Sequence, residues 1–204
     1  MIQHIWFDFS ETIAALEKDY HDRLLYASFA HVVGEPVTPA LIERYQQLRK
    51  IHKSNSAVFT SLGRPSHYWS DCVNAVDPRQ LYKLMSPRVP AVLQQLRDIV
   101  PISLFSNMHI ENILSSLGID PTWFANILFG GIFQQPKPAL EWFYHIVELS
   151  KLPADSILYI GDDVEKDILP AQAVGMKTGI VWSTSPKADY SFLRFEEILQ
   201  LVIV

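Results

Sequence analysis

The chain has a single cysteine, Cys72, so no intramolecular disulfide can form, and its composition fits a reducing compartment. No apolar stretch approaches the roughly 18 residues that cross a bilayer, so no membrane segment is expected. Basic residues are the minority: 17 Lys and Arg stand against 22 Asp and Glu, for a formal net charge of −5. No basic run offsets that balance, which removes any general attraction to nucleic acid or to an anionic membrane. The beginning, Met1-Ile2-Gln3-His4, lacks the cationic segment, apolar core and small-residue cleavage site of a secretion signal, and a cytoplasmic location is expected. The histidines show no ligand spacing with cysteine or carboxylate, so no zinc site is expected. Internal repeats and low-complexity tracts are missing too, and nothing specifies an oligomeric state. What is left is ordinary: 204 residues, 49% apolar and 19% charged, enough for one sizeable core with a smaller domain appended.

Hydrophobic patterning divides the chain. Residues 2–8 read as a short buried strand rich in aromatic and β-branched residues. From Ala14 the spacing turns helical. Helices are expected over 14–33, stopped by Gly34 and Pro36, and from Thr38-Pro39 to about Lys53, with threonine as N-cap and proline in the first turn. A polar, turn-like Ser54–Pro65 follows, then helices over 66–76 and 78–85. Residues 14–86 thus read as helical throughout, with no strand. Beyond Pro87 strands and helices alternate. Strands are expected at 102–105, 127–129, 157–160 and 178–182, and helices at 89–99, 109–117, 138–150, 165–174 and 192–201. Such alternation indicates a parallel sheet with helices on both faces. The expected architecture is therefore α/β: a Rossmann-like core from residues 1–13 and 87–204, interrupted by a small all-helical domain at 14–86.

Ligands of open α/β sheets bind outside the carboxyl ends of the strands. Those ends carry Asp8 with Ser10 and Thr12, Ser106 with Asn107, and Asp162 with Asp163 followed by Asp167. Lys137 stands just after the Gly130-Gly131 break, ahead of a helix. Carboxylates, hydroxyl and amide groups and one cation together suit a hard, oxygen-liganded ion such as Mg²⁺ and an anionic group such as phosphate. Taken singly, each residue has a plainer reading: turn residues after strands, a solvated lysine, an N-cap pair at Asp162-Asp163. Their joint placement at strand ends is what favours chemistry.

In this order the residues resemble the four motifs of the haloacid dehalogenase-like hydrolases. Asp8-Phe9-Ser10-Glu11-Thr12 is similar to the first motif, D-x-D-x-[TV], after an apolar strand. Ile102–Ser106 resembles the second, a strand ending in Ser or Thr, and Lys137-Pro138 the third. Gly161-Asp162-Asp163-Val164-Glu165-Lys166-Asp167 resembles the fourth, G-D-x-x-x-x-D. The helical block sits where the family inserts its cap. The resemblance implies a phosphoaspartate mechanism on a small phosphorylated substrate. Asp8 would be the nucleophile. Mg²⁺ would be held by Asp8, the backbone carbonyl of Ser10 and Asp162. Lys137 and Ser106 would bind the phosphoryl oxygens with Asn107 and Thr12 nearby, and Asp167 would position Lys137 or water at the metal.

Two residues depart from that pattern. The family's phosphatases carry a second aspartate where this chain has Ser10; it protonates the leaving group and then activates water. A serine hydroxyl cannot do this near neutrality, whereas the metal-binding carbonyl survives any substitution. Losing general acid–base catalysis costs about 10²–10⁴ in rate, so a slow phosphatase is expected. Glu11 replaces the usual glycine, and its carboxylate lies one residue away from the acid's place. Retention of Asp162 and Asp167, together with Ser10, argues against a metal-free dehalogenase. Phosphonate cleavage needs a cap lysine, and nothing singles out Lys50 or Lys53. The other reading is a phosphoryl-binding or interaction module without turnover.

Overall fold

The structure, a computed structural model, describes residues 1–107, 110–129 and 137–202. The chain opens on β1 (His4–Asp8) and passes through β2 (Ala14–Leu16) into α1 (Lys18–Val33), α2 (Pro39–His52), α3 (Asn55–Ser61), α4 (Tyr68–Asn74) and α5 (Pro78–Leu81). It returns along β3 (Tyr82–Leu84) to α6 (Val89–Arg97), β4 (Ile102–Ser106), α7 (Glu111–Ser116), β5 (Ile127–Phe129) and α8 (Leu140–Ser150). Then come β6 (Ile157–Gly161), α9 (Leu169–Ala173), β7 (Lys177–Val181) and β8 (Tyr190–Phe192). The chain divides into two compact units, Met1–Ala15 with Lys83–Val204, and Leu16–Tyr82.

The larger unit is built on a six-stranded sheet in the order β5-β4-β1-β6-β7-β8, each strand parallel to its neighbours, flanked by helices in a Rossmann-like α/β arrangement. Every residue of β1 is buried, as a central strand covered on both faces must be, and Ile5, Trp6 and Phe7 supply the apolar bulk. Register sets the site: Asp8 lies opposite Phe105 of β4, and Phe7 opposite both Leu104 and Ile160 of β6. The carboxyl ends of three neighbouring strands are therefore level. Beneath them Trp6, Phe105 and Tyr159 pack with Trp142, Phe143 and Ile146 of α8, with the Phe105 and Trp142 rings 4.8 Å apart. That packing fixes β1, β4 and β6 against one helix.

The smaller unit has its own core of Leu25, Phe29, Leu41, Tyr45, Val58, Phe59 and Trp69. Gly34 ends α1 in the left-handed conformation, and the Thr38 hydroxyl caps α2 by accepting from the Leu41 N–H at 3.2 Å. Phe59 stacks on Trp69, with centroids 5.8 Å apart, so Trp69 serves this core.

Several elements differ from expectation. Residues 14–86 are not strand-free, because β2 and β3 pair as a two-stranded ribbon. Ala14-Ala15-Leu16 has little intrinsic strand preference, and pairing overrides it. Ser54–Pro65 is not all turn: the Ser54 hydroxyl accepts from the Ala57 N–H at 3.1 Å and starts α3, whose Val58 and Phe59 are buried. The polar lead-in was a cap. In place of a helix over 165–174, a π-helical turn at Val164–Ile168 leads into the short α9, with Pro170 early in it and no N–H to give. The final segment is β8 followed by a 3₁₀ stretch, Phe195–Leu201. No helix among the described residues is long and apolar enough to cross a membrane.

Candidate active site

Asp8 is delivered to the carboxyl end of β1 with only 5% of its surface exposed. Facing it is Lys137, 7% exposed, whose Nζ donates to Asp8 Oδ1 at 2.5 Å, to Asp167 Oδ1 at 2.9 Å and to the Tyr159 hydroxyl at 3.2 Å. An ammonium has three N–H donors, and each is accounted for. The charge also lies 4.9 Å from the centre of the Phe105 ring. Upstream, the Lys137 backbone N–H donates to Asn107 Oδ1 at 3.0 Å, tying the lysine to the end of β4. Burial alone would depress the lysine pKa. Tyr159, Asp8 and Asp167 outweigh it and hold the group charged, well above its ordinary value.

The end of β6 completes the cluster. Gly161 closes β6 and Asp162 follows. Asp167 folds back from the π-helical turn so closely that a β-carbon on Gly161 would lie 2.5 Å from the Asp167 side chain. Glycine is needed there for room. Asp167 Oδ2 accepts from the Asp163 N–H at 3.3 Å, while the Asp163 carboxylate caps the turn through the Glu165 and Lys166 N–H groups. Asp163 thus behaves as a cap.

On the side of Asp8 away from Lys137, the buried Thr12 hydroxyl stands 3.4 Å from Asp8 Oδ2 and 3.5 Å from Asp162 Oδ1. Both separations are long for hydroxyl hydrogen bonds. Oxygens of Asp8, Asp162 and Asp167 lie within 4.8 Å of one another. Burial pushes the Asp8 carboxyl up to about 6, with Lys137 opposing and Asp167 adding to the rise. Burial, then Asp8 and Asp167, take Asp162 to about 6 as well. The cluster has more carboxylates than Lys137 can neutralise, and the donors are all hard oxygens. A divalent cation such as Mg²⁺ fits that imbalance. The turn after Asp8 is closed by backbone hydrogen bonds. Its closing bonds run from the Glu11 N–H to the Ala14 carbonyl and from the Ile13 and Ala14 N–H groups to the Phe9 carbonyl, and none uses the Ser10 carbonyl. Ser10 and Glu11 are exposed, and Glu11 holds a left-handed φ of 57° at the position where glycine was expected.

The geometry therefore gathers a buried carboxylate, a locked cation and two further acids at the carboxyl ends of adjacent strands. The model of the haloacid dehalogenase-like hydrolase family matches residues 2–175. The chain belongs to this family. Over 96 residues it is 32% identical to the glyceraldehyde 3-phosphate phosphatase of Methanocaldococcus jannaschii, a match covering 44% of this chain and 42% of that protein. The chain thus spans less than half the length of that curated relative. A HAD phosphatase from Thermococcus onnurineus superposes with a TM-score of 0.79 at 16% identity, covering 99% of this chain and 98% of the other. The magnesium-bound HAD-type hydrolase YfnB of Bacillus subtilis superposes with a TM-score of 0.69 at 16% identity, over 100% and 99% of the two chains. Likeness at this identity establishes the shared fold.

In this haloacid dehalogenase-like hydrolase, Asp8, Thr12, Lys137, Asp162 and Asp167 meet in one cluster. Ser106 is buried at the end of β4, one residue past the partner of Asp8, and Ser10 lies in the exposed turn. Asn107, expected near substrate, holds the Lys137 backbone. His109, Gly130-Gly131 and Gln135-Pro136 lie outside the described residues. Sequence reasoning passed over Tyr159 and Phe105, which surround the lysine. A tyrosine in an otherwise aliphatic buried strand was the available signal, because its hydroxyl needs a partner there.

Proposed function

We propose that this hydrolase is a Mg²⁺-dependent phosphatase that removes phosphate from a small phosphorylated metabolite through an aspartyl-phosphate on Asp8. The observation that carries this reading is the buried Asp8–Lys137–Asp167 arrangement with Asp162 beside it. Phosphoryl transfer needs alignment and charge neutralisation above all, and the cluster has the groups for both. Asp8, the Ser10 carbonyl and Asp162 would hold Mg²⁺, which when bound supplies positive charge against the phosphoryl oxygens. The Asp8 carboxylate attacks phosphorus and the bond to the leaving oxygen breaks. Lys137, kept charged by its neighbours, offers its ammonium to the transferring group by giving up a bond to Tyr159 or a carboxylate. Ser106 donates its hydroxyl, Thr12 steadies Asp8, and Asn107 and Asp167 fix Lys137. Water then attacks phosphorus, the bond from phosphorus to the Asp8 oxygen breaks, and inorganic phosphate leaves with Asp8 restored. The phosphatase named among the curated relatives and the magnesium-bound structural relative support this reading, as does the excess of acids, which a metal-free dehalogenase would not need. The unit at Leu16–Tyr82 is assigned the role of cap, selecting the substrate, and the single cysteine agrees with a cytoplasmic setting.

Ser10 makes the second half-reaction the slow one. An aryl phosphate has a leaving group that departs without a proton, so Asp8 is phosphorylated readily. The attacking water finds no carboxylate at Ser10 to take its proton. Ser10→Asp should therefore raise steady-state turnover of an aryl phosphate by about 10²–10⁴ in the presence of Mg²⁺. Unchanged turnover, with fold and Mg²⁺ binding intact, would show that the missing acid is not what limits the rate. The substitution at Ser10 also favours a second reading, a phosphoryl-binding module. A broad panel of phosphorylated metabolites separates the two: one efficiently hydrolysed substrate eliminates the module, and binding without turnover eliminates the phosphatase.

A further inference from the structure

Trp182 lies outside every motif that the sequence displays, yet it is tied to the turn that follows Asp8. It stands directly after β7 with a φ of 65°. Bulky residues rarely adopt that left-handed conformation, so something must hold it. Two contacts do. Its backbone N–H donates to the Phe192 carbonyl at 2.7 Å, and its indole stacks on Phe195 with centroids 5.9 Å apart and 17° between the planes. Phe195 is fully buried and packs in turn on Phe7, the residue before Asp8, at 5.6 Å. From this position the indole Nε1–H donates to the carbonyl of Thr12 at 3.1 Å. Thr12 is completely buried, and its hydroxyl is the group set between Asp8 and Asp162. A buried carbonyl requires a donor, and here the donor comes from 170 residues away.

We propose that Trp182 is a positioning residue for the Asp8 turn: its indole N–H fixes Thr12, and through Thr12 the spacing of Asp8 and Asp162 and the seat of the Ser10 carbonyl. This rests on the reading of the site as a Mg²⁺-dependent phosphoryl-transfer centre, but the indole contact can be tested apart from it. Trp182→Phe keeps an aromatic ring for Phe195 while removing the N–H and part of the indole's bulk. Trp182→Asn tolerates the left-handed backbone and cannot reach Thr12, which guards against misfolding of the first variant. Both should lower kcat for an aryl phosphate and raise the Mg²⁺ concentration for half-maximal activity by about tenfold, the scale of one hydrogen bond. KM should stay close to that of the wild type, and Tm should fall by only a few degrees, as the loss of one buried hydrogen bond requires. Full kcat and unchanged Mg²⁺ dependence in both variants would overturn the proposal. If the wild-type chain hydrolyses no aryl phosphate, the proposed function fails instead, and hydrogen exchange decides the Trp182 question. Amides of Glu11, Ile13 and Ala14 should then exchange about tenfold faster in Trp182→Phe while those of α8 do not change. Equal exchange at the turn would overturn the proposal.

Discussion

Asp8→Asn should fold normally and lose roughly 10³-fold or more of any Mg²⁺-dependent hydrolysis of an aryl phosphate, as removal of a nucleophile does. The carboxamide is nearly the same size, so the packing at the end of β1 is kept. Its oxygen can still accept from Lys137, which retains Asp167 and Tyr159. Stability should not fall. Burial raises the Asp8 carboxyl to about 6, so its charged form is disfavoured in the fold at pH 8. A group of this kind favours the folded state below its unfolded value near 3.8, and that contribution is lost as pH rises through about 6. The neutral amide removes that penalty, and the variant should melt at or above the wild-type temperature at pH 8 in the absence of Mg²⁺. Loss of activity without loss of Tm separates a chemical role from a structural one. Activity equal to wild type would remove Asp8 from the mechanism.

Lys137→Ala should have the largest effect on the fold itself. Three hydrogen bonds and two ion pairs converge on this Nζ in a space with almost no exposure. Deleting one member of a buried pair leaves the other charge uncompensated, at a cost of about 3–5 kcal/mol. The sign of its pH dependence follows from Asp8. Lys137 is the main influence that holds the Asp8 pKa down, ahead of a hydrogen bond from the Phe9 backbone, so without it the carboxyl titrates higher still. The deficit should therefore be greatest at pH 8 and shrink as pH falls toward about 6, below which Asp8 is protonated in both proteins. Urea denaturation of both proteins at pH 8 and pH 5 measures it. Mg²⁺ should recover part of the lost stability, since a divalent cation replaces positive charge among the acids. A deficit independent of pH and of Mg²⁺ would mean that the lysine matters for packing alone.

The sheet and most of its acids were legible because the relevant signals are local. An apolar strand ending in Asp8, an Ile-Leu-Tyr-Ile run ending in Gly161-Asp162, and a short strand ending in Ser106 each state where a side chain leaves the core. Parallel pairing then brings those ends together without further instruction. The parts that escaped depend on distance. Nothing around Trp182 indicates that its indole reaches Thr12, and Asn107 gives no sign that its side chain accepts from the Lys137 backbone. Both depend on which strand ends lie side by side. The ribbon of β2 and β3 escaped for a related reason, since alanines become a strand only when a partner arrives. Ser54 illustrates the opposite failure: a local signal was present, and a helix cap was read as a turn because both use the same residues.

The measurement closest to the central proposal is rapid quench of the wild-type protein with an aryl phosphate and Mg²⁺, followed by mass spectrometry of the peptide that contains Asp8. Because Ser10 provides no base for the second step, the expected result is a phosphoryl group accumulating on Asp8, absent without Mg²⁺ and in Asp8→Asn, and short-lived in Ser10→Asp. Hydrolysis with no label on Asp8 at any quench time, or a label on another residue, would contradict it.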